Sequence, residues 1–91
     1  MAPNERAVKN HEQLFPNHVS TLAVTDPELI ETFDNFAFDE VLRESKLDVK
    51  TRLMIQLAAI IGCQAVNEYR VMLGAALNVG VTPIEAKEIL Y

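Results

Sequence analysis

The apolar positions of this chain recur at helical spacing from one end to the other, and nowhere do they alternate with the period of two that a half-buried strand requires. From Glu5 to Phe15 the positions Val8, Leu14 and Phe15 are apolar, and Pro16 stops what reads as a short first helix. Pro27, at a first helical position with Thr25 or Asp26 as N-cap and Glu28 just inside, starts the next one. Its apolar stripe is Leu29, Ile30, Phe33, Phe36 and Phe38, followed by Val41 and Leu42 after a kink or break expected near Ala37. Three neighbouring phenylalanines read first as core or interface packing and second as an aromatic ligand pocket.

Asp48 is the natural N-cap of a helix from Val49 to about Ile61, with Val49, Leu53, Leu57 and Ile60 on one face. Met54, Ile55, Ala58, Ala59 and Ile61 cover most of the remainder. A helix apolar nearly all round has to be enclosed on several sides, which puts it at the centre of the fold or in an interface between subunits. Gly62 is expected to loosen the chain before a second long helix from Gln64 to Val79, ended by Gly80 in the left-handed position. A rotation of ~100° per residue places Ala65, Tyr69, Met72, Leu73, Ala76 and Val79 on one face, with Asn67, Gly74 and Asn78 opposite. Thr82, Pro83 and Glu85 form a capping box with proline at the first helical position, opening a helix that carries Ile84, Ile89 and Leu90. The pattern therefore predicts an all-α bundle of four or five helices, with residues 1–91 as a single domain.

Composition narrows the function. With 49% hydrophobic and 23% charged residues in 91, the chain has material for a core, and a chain of this length buries roughly 60 to 65% of its unfolded surface. The net charge is -5, and the eight lysines and arginines are scattered, which argues against nucleic acid and against an anionic membrane as partners. The start is polar and lacks a signal-like apolar stretch, and the longest apolar run, Leu57 to Cys63, is too short to span a bilayer, so a cytoplasmic protein is expected. Cys63 is the sole cysteine, so neither an internal disulfide nor a CxxC pair is available. No metal site is expected either, because His11 and His18 are the only histidines and lie far upstream of Cys63.

The stretch Leu47-Asp48-Val49-Lys50-Thr51-Arg52 ahead of an apolar helix, and the stretch Ala75-Ala76-Leu77-Asn78-Val79-Gly80-Val81-Thr82-Pro83-Ile84-Glu85, resemble the core of the carboxymuconolactone decarboxylase and alkylhydroperoxidase-like superfamily. Asp26-Pro27-Glu28-Leu29 with Phe33, Asp34, Asn35 and Phe36 is similar to the lead-in helix of some members. The likeness implies an antiparallel two-helix hairpin as the core of the bundle, completed by assembly into a homo-trimer or homo-hexamer with sites near subunit boundaries. Related domains continue beyond the last helix seen here, so the chain is expected to be a piece of a longer protein.

The peroxidase branch of that superfamily carries a glutamate, a CxxC pair and a histidine. Aligned on Ala76, those places hold Leu53, then Ala65 and Glu68, then Met72; aligned on Cys63, the later places hold Val66 and Arg70. A thiolate, a resolving thiol and a base are all required for peroxide reduction, and at most the first is present. The resemblance therefore favours the decarboxylase branch, which uses no cofactor and acts on a small organic acid or lactone. Met72 again stands where that branch usually has a histidine.

Within that frame Glu68 is the first candidate for acid or base. Its direction beside Met72, Ala75 and Val79 at the edge of the apolar face would desolvate it partly and raise its pKa; the plain alternative is a solvated or ion-paired glutamate. Arg52 reads as an anchor for an anionic substrate or as a partner of Asp48 or Glu68. Cys63 reads as a buried, inert thiol or as a lone reactive one, and Tyr69 and Met72 as pocket wall or core. Two further readings stand beside the enzyme: a non-catalytic oligomeric scaffold, and, weakest, a thiol peroxidase that uses Cys63 with an external reductant.

Overall fold

Helices form where the local sequence caps them. The structure, a computed structural model, describes residues 2–91, and every regular element among them is helical. In chain order these are α1 (Glu5–Leu14), α2 (Leu22–Thr25), α3 (Pro27–Asn35), a π-helical segment (Phe36–Glu40), α4 (Val41–Glu44), α5 (Val49–Gly62), α6 (Val66–Asn78) and α7 (Pro83–Leu90). The chain divides into two compact units, one running to Lys46 and the other from Leu47 to Tyr91. Among the described residues no helix is long and apolar enough to cross a membrane.

In the first unit the Asn4 side chain caps α1 by accepting from the Ala7 N–H at 2.8 Å, and Asp26 caps α3 by accepting from the Leu29 N–H at 3.2 Å. The one-turn helix α2 carries no signal in the pattern and has no side-chain cap. The break expected near Ala37 is instead a widened π turn, which leads from α3 into α4 without an intervening loop. That widening begins at Phe36 and re-phases Phe38 relative to the residues of α3 before it. Phe33 and Phe36 are 55% and 57% exposed and Leu29 is exposed beside them, so of the core and interface readings of the stripe the core one fails for these three residues. Phe38 is turned inward, its ring edge-on to His11 at 5.0 Å and perpendicular to Phe15 and Phe33 at 6.3 Å. Against this face α1 buries Ala7 and Leu14.

The second unit is aliphatic. Helix α5 packs on α6 and α7, and Leu53, Leu57, Ala75, Ala76, Val81 and Ala86 are its buried residues. Asp48 caps α5 by accepting from the Thr51 N–H and hydroxyl, at 3.1 and 2.7 Å. These bonds hold its carboxyl below the ordinary value, the hydroxyl contributing most. Both long helices end in the same way. Gly80, at φ 101°, sends its N–H to the Leu77 carbonyl, and the Val81 N–H returns to Ala76, the paired bonds of a Schellman motif with Val81 buried beneath. At the end of α5 the left-handed residue is Gln64 at φ 57°, with its N–H on Ile61 and the Ala65 N–H on Ile60. Gly62, expected to act as the loosening point, is the last helical residue instead, and α6 begins at Val66 rather than Gln64.

Candidate functional site

The candidate site residues lie on α5, α6 and the turn between them. Arg52 is in the first turn of α5 and half-buried, while Cys63 is the C-cap residue at the other end of that helix. Eleven residues at ~1.5 Å each separate the two by about 16 Å along the axis. Glu68 is in the first turn of α6, five residues past Cys63. A single chain thus gathers Cys63 and Glu68 at the α5–α6 turn and leaves Arg52 at the far end of α5.

The predicted inner face of α6 is observed. Ala76 is buried, Ala65, Tyr69, Met72, Leu73 and Val79 are half-buried, and Asn67, Gly74 and Asn78 are exposed opposite. Exposure separates the two readings of two side chains. Glu68 is exposed, which is the solvated alternative rather than the partly desolvated one. It lies in the first turn of α6, where a negative charge suits the helix dipole. Cys63 is exposed rather than buried, because the Schellman turn directs it away from the core on which Leu53 and Leu57 converge. It is the sole thiol of the chain.

The densest electrostatics of the first unit lie elsewhere, around Asp39, a residue that its sequence position did not single out. Its carboxylate is 3% exposed. It accepts from Arg6 (Nε to Oδ1, 2.9 Å; Nη2 to Oδ2, 3.3 Å), from Arg43 Nε at 2.7 Å and from Asn4 Nδ2 at 2.7 Å. The Arg6 bond, ahead of those from Arg43 and Asn4, holds this carboxyl far below the ordinary 3.8, against the opposing effect of burial. Arg43 lies at i+4 from Asp39, whereas Asn4 and Arg6 come from more than thirty residues away in sequence. Nearby Asp34 moves the other way, raised by burial, with His11 countering. A shallow, open depression on α1 is lined by Pro3, Glu5, Val8, Lys9 and Glu12 and includes none of the candidate residues. Among the described residues no three histidine, cysteine, aspartate or glutamate side chains come together as a metal-binding set.

Compared with known proteins, residues 27–91 match the pattern of the Carboxymuconolactone decarboxylase family. No curated protein and no solved structure matches the chain. The match begins at the Pro27 helix start, takes in α5 with its Asp48 cap and the Asn78–Thr82 turn, and ends at Tyr91. On that match, which covers most of its length, and on its all-helical fold, the chain belongs to the carboxymuconolactone decarboxylase family.

Proposed function

We propose that this chain is a cofactor-independent, cytoplasmic enzyme of the decarboxylase type, acting on a small organic acid or lactone in a site completed between sister chains of a homo-trimer or homo-hexamer. The observation that carries the reading is the arrangement on α6: Glu68 stands exposed beside Tyr69 and Met72, which are half-buried. A sister chain laid over this edge would remove water from Glu68 and raise its pKa toward the range useful for proton transfer. Such an assembly also supplies what one chain lacks, an Arg52 from a neighbour to hold the substrate's carboxylate. Exposed apolar residues on both helices, Ile55, Val66, Val71 and Leu77, provide the surface for that contact.

The chemistry needs only a proton. When a carboxylate leaves as carbon dioxide, its bonding electrons pass into the conjugated lactone, and Glu68 in its acid form delivers a proton to the carbon that receives them. Turnover by the purified protein, followed as carbon dioxide release from a panel of unsaturated lactones and keto acids, tests this. Glu68→Gln is expected to lower kcat by about a hundredfold or more, and Arg52→Met to raise KM. Unchanged turnover of every responsive substrate in Glu68→Gln would remove the role assigned to that residue.

A second reading, a non-catalytic oligomeric scaffold, is favoured by one observation: Met72, which cannot shuttle protons, occupies the half-buried position facing inward on α6. Absence of turnover across the whole panel, in a protein that sediments as an oligomer, decides for the scaffold.

A further inference from the structure

We infer that α1 is a detachable strap, latched onto the first unit by Asp39 and able to release as a segment while the helices beneath it stay folded. This rests on how α1 is held and is independent of the catalytic reading. Of the side chains of α1, only Ala7 and Leu14 are buried, and Val8 faces solvent. The His11 and Phe15 rings also pack edge-on against Phe38.

Polar attachments run from Asn4 to Asn10. The Asn4 N–H donates to Asn35 Oδ1 at 2.8 Å, Asn4 Nδ2 and the Arg6 guanidinium donate to Asp39, and Asn10 Nδ2 donates to the Phe38 carbonyl at 2.6 Å. Such bonds exchange for water at small net cost, above all for a side chain as exposed as that of Arg6. Release also leaves no orphaned charge. Arg43 belongs to the same continuous helical stretch as Asp39 and keeps its 2.7 Å bond to the carboxylate when α1 departs. Asp34 on α3 interacts with His11, which leaves with the strap. What opens is the inner face of the stretch from α3 to α4, bearing Asn35, Phe38 and Asp39.

Hydrogen exchange of the whole chain, read by peptide, tests the latch. Asp39→Asn keeps the shape of the side chain and removes its charge. It is expected to speed exchange across α1 by about tenfold while α3, α5, α6 and α7 stay within about twofold of the parent. Equal acceleration of α1 and α3 to α4 would show that the unit opens as one body, and unchanged exchange at α1 would show that Asp39 is no latch; either result overturns the proposal. If Asp39→Asn fails to fold, Arg6→Gln leaves the Arg43–Asp39 pair in place and is judged on the same selective acceleration of α1, at about threefold or more.

Discussion

The two units of this chain are both helical and are held together by different physics. From Leu47 onward the buried residues are Leu53, Leu57, Ala75, Ala76, Val81 and Ala86, all aliphatic. Up to Lys46 they are Ala7, Leu14 and one carboxylate, Asp39. Aliphatic burial is indifferent to pH and salt and scales with area. A buried carboxylate shared by two guanidiniums depends on its charge state and on geometry. The second unit should therefore respond to loss of volume and the first to loss of charge.

The sharpest attempt to break that contrast is Leu57→Ala. Leu57 is fully buried on the face of α5 that meets α6 and α7, so its truncation is expected to cost about 2 to 5 kcal/mol, read as a lowered urea midpoint of the second unit. A loss below about 1 kcal/mol would mean that this core collapses to refill the space and is not the close-packed element described.

Acid should single out the first unit. The folded carboxyl of Asp39 lies far below its ordinary 3.8, so its contribution to stability is complete above that value and is lost as pH falls through and below it. Asp34, raised by burial, has the opposite sign: its charged form is disfavoured in the fold, and protonation relieves part of that penalty. Asp39 carries the larger shift, so protection of α1 against hydrogen exchange is expected to fall between about pH 5 and pH 2, with Asp39→Asn flattening the dependence. A profile just as steep in Asp39→Asn would place the acid sensitivity in other carboxylates. Asp48 and Glu85 in the second unit are also depressed, the latter chiefly through its bond from the Thr82 N–H, so α5 and α7 share a weaker dependence of the same sign.

What the sequence disclosed follows the same division. The Asp26 and Asp48 caps, the Thr82–Glu85 box and the left-handed Gly80 are all local, made between residues a few positions apart, and each is where its motif put it. The inner face of α6 was legible because a regular helix keeps its phase over thirteen residues. Of the two readings of Leu29, Phe33 and Phe36, core fails and interface stays open, because spacing marks an apolar face without saying what covers it, while the π turn that begins at Phe36 leaves no signature in hydrophobic spacing. Asp39 was invisible because its partners Asn4 and Arg6 arrive from a distant helix. Among the site candidates, helical rotation gave the directions of Tyr69 and Met72 and left open whether Glu68 is sheltered or solvated, since shielding depends on neighbouring elements that one helix cannot report.

A smaller effect is expected where the second unit departs from its own pattern. Gln64 occupies the left-handed position that glycine fills at the end of α6, and a residue with a Cβ there is strained by roughly 1 kcal/mol. Gln64→Gly is therefore expected to raise stability by somewhat less than that, because glycine also gives the unfolded chain more freedom. A lower midpoint in thermal unfolding would show that the Gln64 side chain makes contacts outweighing the strain.

The smallest change is informative through its sign. Gly74 lies in the middle of α6 on the exposed face, and a Cβ built there meets nothing within 4 Å. In an isolated chain Gly74→Ala should stabilise α6 by about 0.5 to 1 kcal/mol, since alanine restricts the unfolded backbone and favours the helix. If a sister chain packs closely on this face, the added methyl has to displace a neighbouring backbone, and the same substitution lowers both stability and the sedimenting mass. Thermal unfolding and sedimentation at matched concentrations separate the two cases. A gain with unchanged mass leaves the Gly74 face open to water and moves any contact between chains to the Ile55 face of α5, whereas a loss of both places the contact on α6.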